Sequence, residues 1–335
     1  VATWCVGWIV EVAHRGAGLP TAAVDWSTSG AALAALTALT VVLAWRGPRL
    51  VSTRARGAAS CVVLVVAVLV RPPVPGWPPD GWVLVACDVG QGDALVLATT
   101  PGHAVVVDVG PEPGAVGRCL DDLGVSTVDL LVLTHFHADH VDGLSAVLGS
   151  HGVGEVWVSR VLDPADGARS VLADAAAAGV PLHPAPYAGT WRSGATRLQV
   201  LWPTPGEPDT GPGDGTAAND MSVVLLVEVA GLRLLLTGDL EPPGQAALAR
   251  TLPDLAVDVL KVPHHGSSYQ DLGWLTGLGA RVAVVTVGED NDYGHPATSV
   301  LTALESAGAR VLRTDTDGSV AVVAGEAGPS VLTTR

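Results

Sequence analysis

Residues 134–140 read Thr134-His135-Phe136-His137-Ala138-Asp139-His140, and the rest of the chain is best understood outward from them. Three imidazoles and a carboxylate fall within six residues. These are ligands of borderline divalent ions, Zn²⁺ above all, with Mn²⁺ and Fe²⁺ behind it. The apolar run Val128-Asp129-Leu130-Leu131-Val132-Leu133 leads into them and reads as a buried strand. A strand ending near Thr134 sends His135 and His137 to one side by pleat alternation. A helix opening at Asp139 brings that carboxylate and His140 to the other side of the same spot, so one short loop would serve two adjacent metals. The alternative is a chance His-rich turn, and other matching pieces further along the chain weigh against it.

From Gly81 onward, short apolar strands alternate with Ala- and Leu-rich helices. Strands are predicted near 82–87, 94–98, 104–108, 128–133, 155–158, 198–202, 222–229, 232–236, 257–261, 282–287, 310–313 and 319–323. Helices are predicted at 113–123, 141–149, 164–178, 242–251 and 297–307. The pattern is α/β, with two sheets and helices packed outside them. The four cysteines, Cys5, Cys61, Cys87 and Cys119, lie far apart with no CxxC pair, so neither a zinc ribbon nor a disulfide framework is expected.

The front of the chain has a different character. Residues 28–45 carry no charge, which meets the length of a membrane-spanning helix, and the shorter apolar stretch at 57–71 is read as a second span. Arg46, Arg49, Arg54 and Arg56 lie between them without an acid, as in a cytoplasmic loop. Residues 1–71 are therefore expected to be a membrane segment, 72–81 a stiff Pro-rich linker, and 82–335 a hydrolase domain. Two spans would put that domain outside the cytoplasm in a multi-pass protein of the cell membrane. The chain begins with Val and shows no signal-peptide pattern, so a longer parent protein is expected.

The remaining chemistry comes in clusters placed after predicted strands. They are Cys87-Asp88-Val89-Gly90-Gln91-Gly92-Asp93, Asn219-Asp220-Met221-Ser222, Leu236-Thr237-Gly238-Asp239, His264-His265-Gly266-Ser267-Ser268 and Tyr293-Gly294-His295-Pro296. His135, His137, His140, His264, His265 and His295 account for six of the ten histidines. Lys261, the one lysine of the chain, reads as a surface residue without a role.

This ordered set resembles the metallo-β-lactamase superfamily, and more narrowly the C-terminal domain of the ComEC competence DNA-uptake channel family, over about residues 82–323. The resemblance implies an αββα sandwich, here preceded by transmembrane helices, with a site for two divalent metal ions, Zn or Mn, at the sheet edges. It also implies a nuclease that degrades the non-transported DNA strand. Implied partners are single-stranded DNA, the membrane, other competence uptake proteins and an upstream channel portion of the same protein. Carried over residue by residue, His135 and His137 would bind one metal, and Asp139 and His140 the other. Asp239 would bridge, and His295 or one of His264 and His265 would complete the second site. A third histidine usually completes the first site between the first motif and the bridging Asp. Only His151 and His183 fall in that interval, so Asn219 or Asp220 is better placed; this favours Mn²⁺ and leaves single-metal occupancy open.

In the implied reaction, water activated by the metals, with Asp139 at the site, attacks phosphorus. His264 or His265 would protonate the leaving oxygen, and Ser267 or Ser268 would hold a non-bridging one. Charge pulls the other way. After residue 80 there are 30 acidic against 12 basic side chains, a net of −18, which repels a polyanion. Two rival readings therefore stay open: a hydrolase of small esters or lactones, and a non-catalytic domain that docks at or gates a channel.

Overall fold

The computed structural model describes residues 74–207, 211 and 213–335, with isolated positions between 34 and 63. The chain divides into two compact units, Val1–Pro75 and Gly76–Arg335. The spans expected near 28–45 and 57–71 fall largely outside the described residues. Among the described residues, no helix is long and apolar enough to cross a membrane.

Gly76–Arg335 holds two sheets. The first contains β1 (Trp82–Ala86), β2 (Leu95–Ala98), β3 (His103–Val107), β4 (Thr127–Leu133), β5 (Gly152–Val158), β6 (Leu182–Pro184), β14 (Val320–Gly325) and β15 (Gly328–Thr333). Its spatial order is β15-β14-β1-β2-β3-β4-β5-β6. The second contains β7 (Thr190–Ser193), β8 (Thr196–Trp202), β9 (Val224–Val229), β10 (Leu232–Leu236), β11 (Val259–Lys261), β12 (Val282–Val285) and β13 (Arg310–Arg313), in the order β13-β12-β11-β10-β9-β8-β7. Strands β3 to β6 are parallel, as are β10 to β13.

Alternation along single strands builds the layers. In β4, Leu130 and Val132 face the core between the sheets, while Leu131 and Leu133 face the helices outside. In β10, Leu234 and Leu236 point inward and Leu235 outward. Continuous apolar runs are what a strand covered on both faces requires. Helices α1 (Pro113–Asp122), α2 (Ala138–Val141), α3 (Leu144–Ser150) and α4 (Ala165–Ala178) cover the first sheet through Val116, Leu120, Leu144, Val147 and Val171. Helices α5 (Pro242–Thr251), α6 (Leu272–Gly277) and α7 (Thr298–Ser306) cover the second through Leu248, Trp274, Leu275, Val300 and Leu304. A short α8 (Thr314–Asp317) follows β13. The result is the expected αββα sandwich.

Strands β6, β7 and β15 and helices α6 and α8 are not among the predicted elements, and for three of them a local reason is visible. Strands β6 and β7 are short sheet edges, Leu-His-Pro and Thr-Trp-Arg-Ser, with little apolar alternation to reveal them. Helix α6 has only six residues, two of them glycine. The expectation that cysteines play no structural part is also corrected: Cys87 and Cys119 form a disulfide, with Cα atoms 6.0 Å apart, that ties the end of β1 to α1. Their separation of 32 residues gave no cue, because the sheet, not the sequence, brings them together.

Candidate metal centre

The parallel strands of both sheets end at one edge, and the polar residues that follow them meet there. Strand β3 is followed directly by Asp108, fully buried, whose carboxylate accepts from Thr134 N–H at 2.7 Å and from Thr134 Oγ–H at 2.7 Å. The same carboxylate lies 2.9 Å from Nδ1 of His140. With its hydroxyl proton given to Asp108, Thr134 Oγ1 accepts from His135 Nδ1 at 3.1 Å. One carboxylate thus fixes both imidazoles with the proton on Nδ1, leaving each Nε2 as a lone pair. His265 is set the same way from the other sheet: its Nδ1 donates to the Thr286 carbonyl at 2.8 Å. The turn that delivers it runs through left-handed backbone at His264 (φ 48°) and His265 (φ 52°), a conformation non-glycine residues hold at a cost of about 1–3 kcal/mol each.

The freed nitrogens converge on two carboxylates. His140 Nε2 lies 3.4 Å from Asp239 Oδ1 and 3.8 Å from Asp139 Oδ2. His265 Nε2 lies 3.2 Å from Asp139 Oδ2 and 3.3 Å from Asp239 Oδ2. Ligand atoms of all four residues lie within 4.8 Å of one another. His140 Nε2, His265 Nε2 and Asp239 Oδ1 are buried and have no hydrogen-bond partner in the protein. Two imidazole lone pairs and two carboxylates with a shared gap between them form the donor set of a divalent ion, and these residues fit one. Beside them, His135 Nε2 and His137 Nδ1 lie 3.0 Å apart.

Charge at the centre points the same way. Burial raises the Asp239 carboxyl pKa, but the His265 and His140 imidazoles outweigh it and hold the group well below the usual range. Burial lowers His140, yet Asp239, Asp139 and Asp108 raise it well above an ordinary imidazole; His265 behaves alike, with Asp239 the main opposing charge. His135 is pushed well below by burial and by His140. The carboxylates of the pocket therefore favour positive charge at the point where the two imidazoles face them.

Backbone geometry makes the approach feasible. Gly238 has φ 52°, and a Cβ there would lie 2.9 Å from the side chains of Thr134 and Ser222. Gly92 would place a Cβ 2.1 Å from the Asp139 carbonyl, so the turn bearing Asp93 lies flat against the first motif only as glycine.

The structure brings together His135, His137, Asp139, His140, Asp239 and His265 out of the residues the sequence singled out. It does not bring in three others. Asp220 turns to α5, where its carboxylate accepts from Gly244 N–H at 3.4 Å. Ser267 accepts from Tyr269 N–H at 3.2 Å and serves the turn. His295 is not among the four converging residues, where His265 stands instead; its ring lies 5.5 Å from that of His264. His264 itself stands at the rim, with Nε2 3.9 Å from Asp239 Oδ2 and its side chain 23 % exposed. Lys261 corrects the surface reading: it is fully buried, paired with Asp93 and donating to the Gly238 carbonyl at 2.9 Å. Asp108 and Thr286 were not anticipated as parts of the site, and Thr134 and Ser222 stood inside the sequence motifs without a role. Asp108 had a usable signal, since Val105-Val106-Val107-Asp108 ends an apolar run in a carboxylate just as Leu234-Leu235-Leu236 leads to Asp239.

Comparison with known proteins agrees with this architecture. The Metallo-beta-lactamase superfamily profile matches residues 87–286. ComE operon protein 3 of Bacillus subtilis (strain 168) is 29 % identical over 255 residues, covering 70 % of this chain and 32 % of the relative. Competence protein ComA of Neisseria gonorrhoeae is 28 % identical over 309 residues, 91 % of this chain and 41 % of the relative. The chain thus spans less than half the length of either. Among solved structures, the metallo-beta-lactamase fold protein YhfI of Bacillus subtilis shares 10 % identity and a TM-score of 0.48, covering 70 % of this chain and 98 % of that one. The chain belongs to the metallo-beta-lactamase superfamily and is similar, within it, to ComEC-like competence proteins.

Proposed function

We propose that Gly76–Arg335 is a metal-dependent phosphodiesterase that cleaves DNA, acting in competence uptake on the strand that is not transported. The observation that carries this reading is the convergence of two tautomer-fixed imidazoles, His140 and His265, on Asp139 and Asp239 with no protein partner between them. The substrate class is drawn from the competence relatives. Asp139, His140, Asp239 and His265 would hold a divalent ion, with His135 and His137 offering a second position. Such an ion, when bound, supplies Lewis-acid charge to a phosphoryl oxygen and acidifies water.

The chain's own residues do the rest. Asp108 and Thr286 keep the ligand rings oriented. His264 is the one histidine of its pair still free to handle a proton, because His265 has both nitrogens committed. Its Nδ1 lies 3.6 Å from Glu241 Oε1, a carboxylate able to steady the protonated ring that would deliver a proton to the leaving oxygen.

Two features support a location at the membrane, outside the cytoplasm. The apolar stretches at 28–45 and 57–71 support a membrane anchor, and the Cys87–Cys119 disulfide suits an oxidising compartment outside the cytoplasm. Several arginines are engaged within the protein: Arg160 on the Thr204 and Glu207 carbonyls, Arg313 on Asp315 and Arg335 on Asp88. Affinity for a phosphate chain then rests on the metal centre and on partners in the membrane. The test is the full chain incubated with end-labelled single-stranded DNA and Mn²⁺, beside Asp239→Ala and His137→Ala. Cleavage by the parent alone supports the reading; a parent that binds Mn²⁺ and leaves the DNA intact overturns it.

A further inference from the structure

We infer that Lys261 is a fixed cation of the centre which, with Asp93, dedicates Asp239 to the four-ligand pocket, so that the chain binds one divalent ion tightly and a second only weakly. This rests on reading the centre as a metal site and goes further by making its two positions unequal.

The inequality begins with donors. The pocket of Asp139, His140, Asp239 and His265 offers four protein ligands whose atoms converge. The neighbouring position offers His135 Nε2 and His137 Nδ1. Two of the residues that might have added a third donor there do not. Asp220 faces Gly244, and Ser222 Oγ stands 3.4 Å from Nδ1 of His135, the nitrogen turned away from the metal position; Asn219 Nδ2 donates to Glu241 Oε1 at 3.0 Å, which leaves its buried Oδ1 as the one further oxygen in this stretch without a protein partner. Each lost donor is replaced by solvent, at a cost in affinity.

The Asp239 carboxylate then decides whether the two positions share a ligand. Its Oδ1 faces His140 Nε2 at 3.4 Å and the Lys261 ammonium at 3.6 Å. Its Oδ2 faces His265 Nε2 at 3.3 Å and His264 Nε2 at 3.9 Å. Among the described residues, no nitrogen of His135 or His137 comes within 4.0 Å of either oxygen. Both oxygens thus serve the four-ligand side.

Lys261 cannot drift from this arrangement. It is fully buried, its ammonium pairs with Asp93 Oδ2 and donates to the Gly238 carbonyl at 2.9 Å, one residue from Asp239. Asp93 is held in turn by Thr286 Oγ–H, while the Thr286 carbonyl anchors His265. The ammonium also lies 3.6 Å from Asp239 Oδ1, where its charge competes with a second ion for that oxygen. A single network therefore seats the first ion and opposes the second.

The test is metal titration of the full chain, stripped with chelator, using Mn²⁺ and Zn²⁺ separately and reading stoichiometry by calorimetry and by metal analysis after dialysis. One tight equivalent and a second at least about 100-fold weaker is the expected result. A spin-coupled manganese pair in the paramagnetic resonance spectrum at one equivalent, or two sites within tenfold of each other, overturns it. Lys261→Met with Asp93→Asn removes the buried pair without leaving a lone charge, and circular dichroism checks that it folds. It should narrow the gap between the two equivalents by at least tenfold, and an unchanged gap in folded protein refutes the role of Lys261. If the double variant does not fold, the parent stoichiometry still decides. Absence of any tight equivalent would overturn the metal centre itself. A chain that binds metal one to one and fails to cut DNA would count against the nuclease reading alone.

Discussion

Replacing Asp108 by Asn should cripple the centre without touching a metal ligand. The carboxylate accepts from Thr134 N–H and Oγ–H and from His140 Nδ1–H, three donors onto one buried group. An amide has one acceptor atom and one donor atom. If its NH₂ faces His140, it donates to Nδ1 and drives the imidazole proton onto Nε2, where it occupies the metal lone pair. If its NH₂ faces Thr134 instead, two buried donors confront each other at a cost of about 1–3 kcal/mol. Loss of such a supporting contact typically weakens metal affinity about 10–100-fold, or roughly 1.4–2.7 kcal/mol. Competition of the Asp108→Asn chain against a chromogenic chelator measures this directly, with thermal melting of the metal-free form as a folding control. A folded variant whose affinity for the first equivalent changes by less than about threefold would refute the claim that Asp108 sets the His140 tautomer.

Three further outcomes are expected. Gly238→Ala meets the Thr134 and Ser222 side chains at 2.9 Å in left-handed backbone, so it should cost roughly 1–3 kcal/mol in thermal melts and weaken metal binding by moving Asp239. Reducing the Cys87–Cys119 bridge should destabilise the unit by about 3–4 kcal/mol from the lost loop constraint, seen as a lower melting temperature in reductant with metal stoichiometry unchanged. Metal affinity should fall as pH falls: the carboxylates raise the pKa of His140 and His265 in the metal-free chain, so protons compete with the ion. By the same linkage, those protonated imidazoles stabilise the metal-free fold fully below an ordinary imidazole pKa, and that contribution is lost as pH rises through their raised values. Calorimetric titrations at several pH values and metal-free melts over the same range check both signs.

Much of this was legible in the sequence because it rests on local patterns. The apolar runs around Leu131 and Leu235 named buried strands, and the heptapeptide at 134–140 held Asp139 and His140, two of the four residues that converge at the candidate centre. What stayed hidden depends on partners distant in the chain. Lys261 looks like a surface lysine until Asp93, 168 positions earlier, is folded onto it. His265 and His295 are equivalent on paper; only the left-handed turn at 264–265 and the Thr286 carbonyl decide between them. The disulfide escaped for the same reason, and the short edges β6 and β7 carry too few residues for any period to show.

The account stands most directly on the ligands of the first bound ion. X-ray absorption of the full chain loaded with one equivalent of Zn²⁺ should show a shell of nitrogen and oxygen at about 2.0–2.1 Å, with the multiple-scattering signature of two imidazoles and no sulfur. His265→Ala should reduce that signature to one imidazole and weaken retention of the ion. A sulfur shell, or a spectrum unchanged by His265→Ala, would contradict the centre described here.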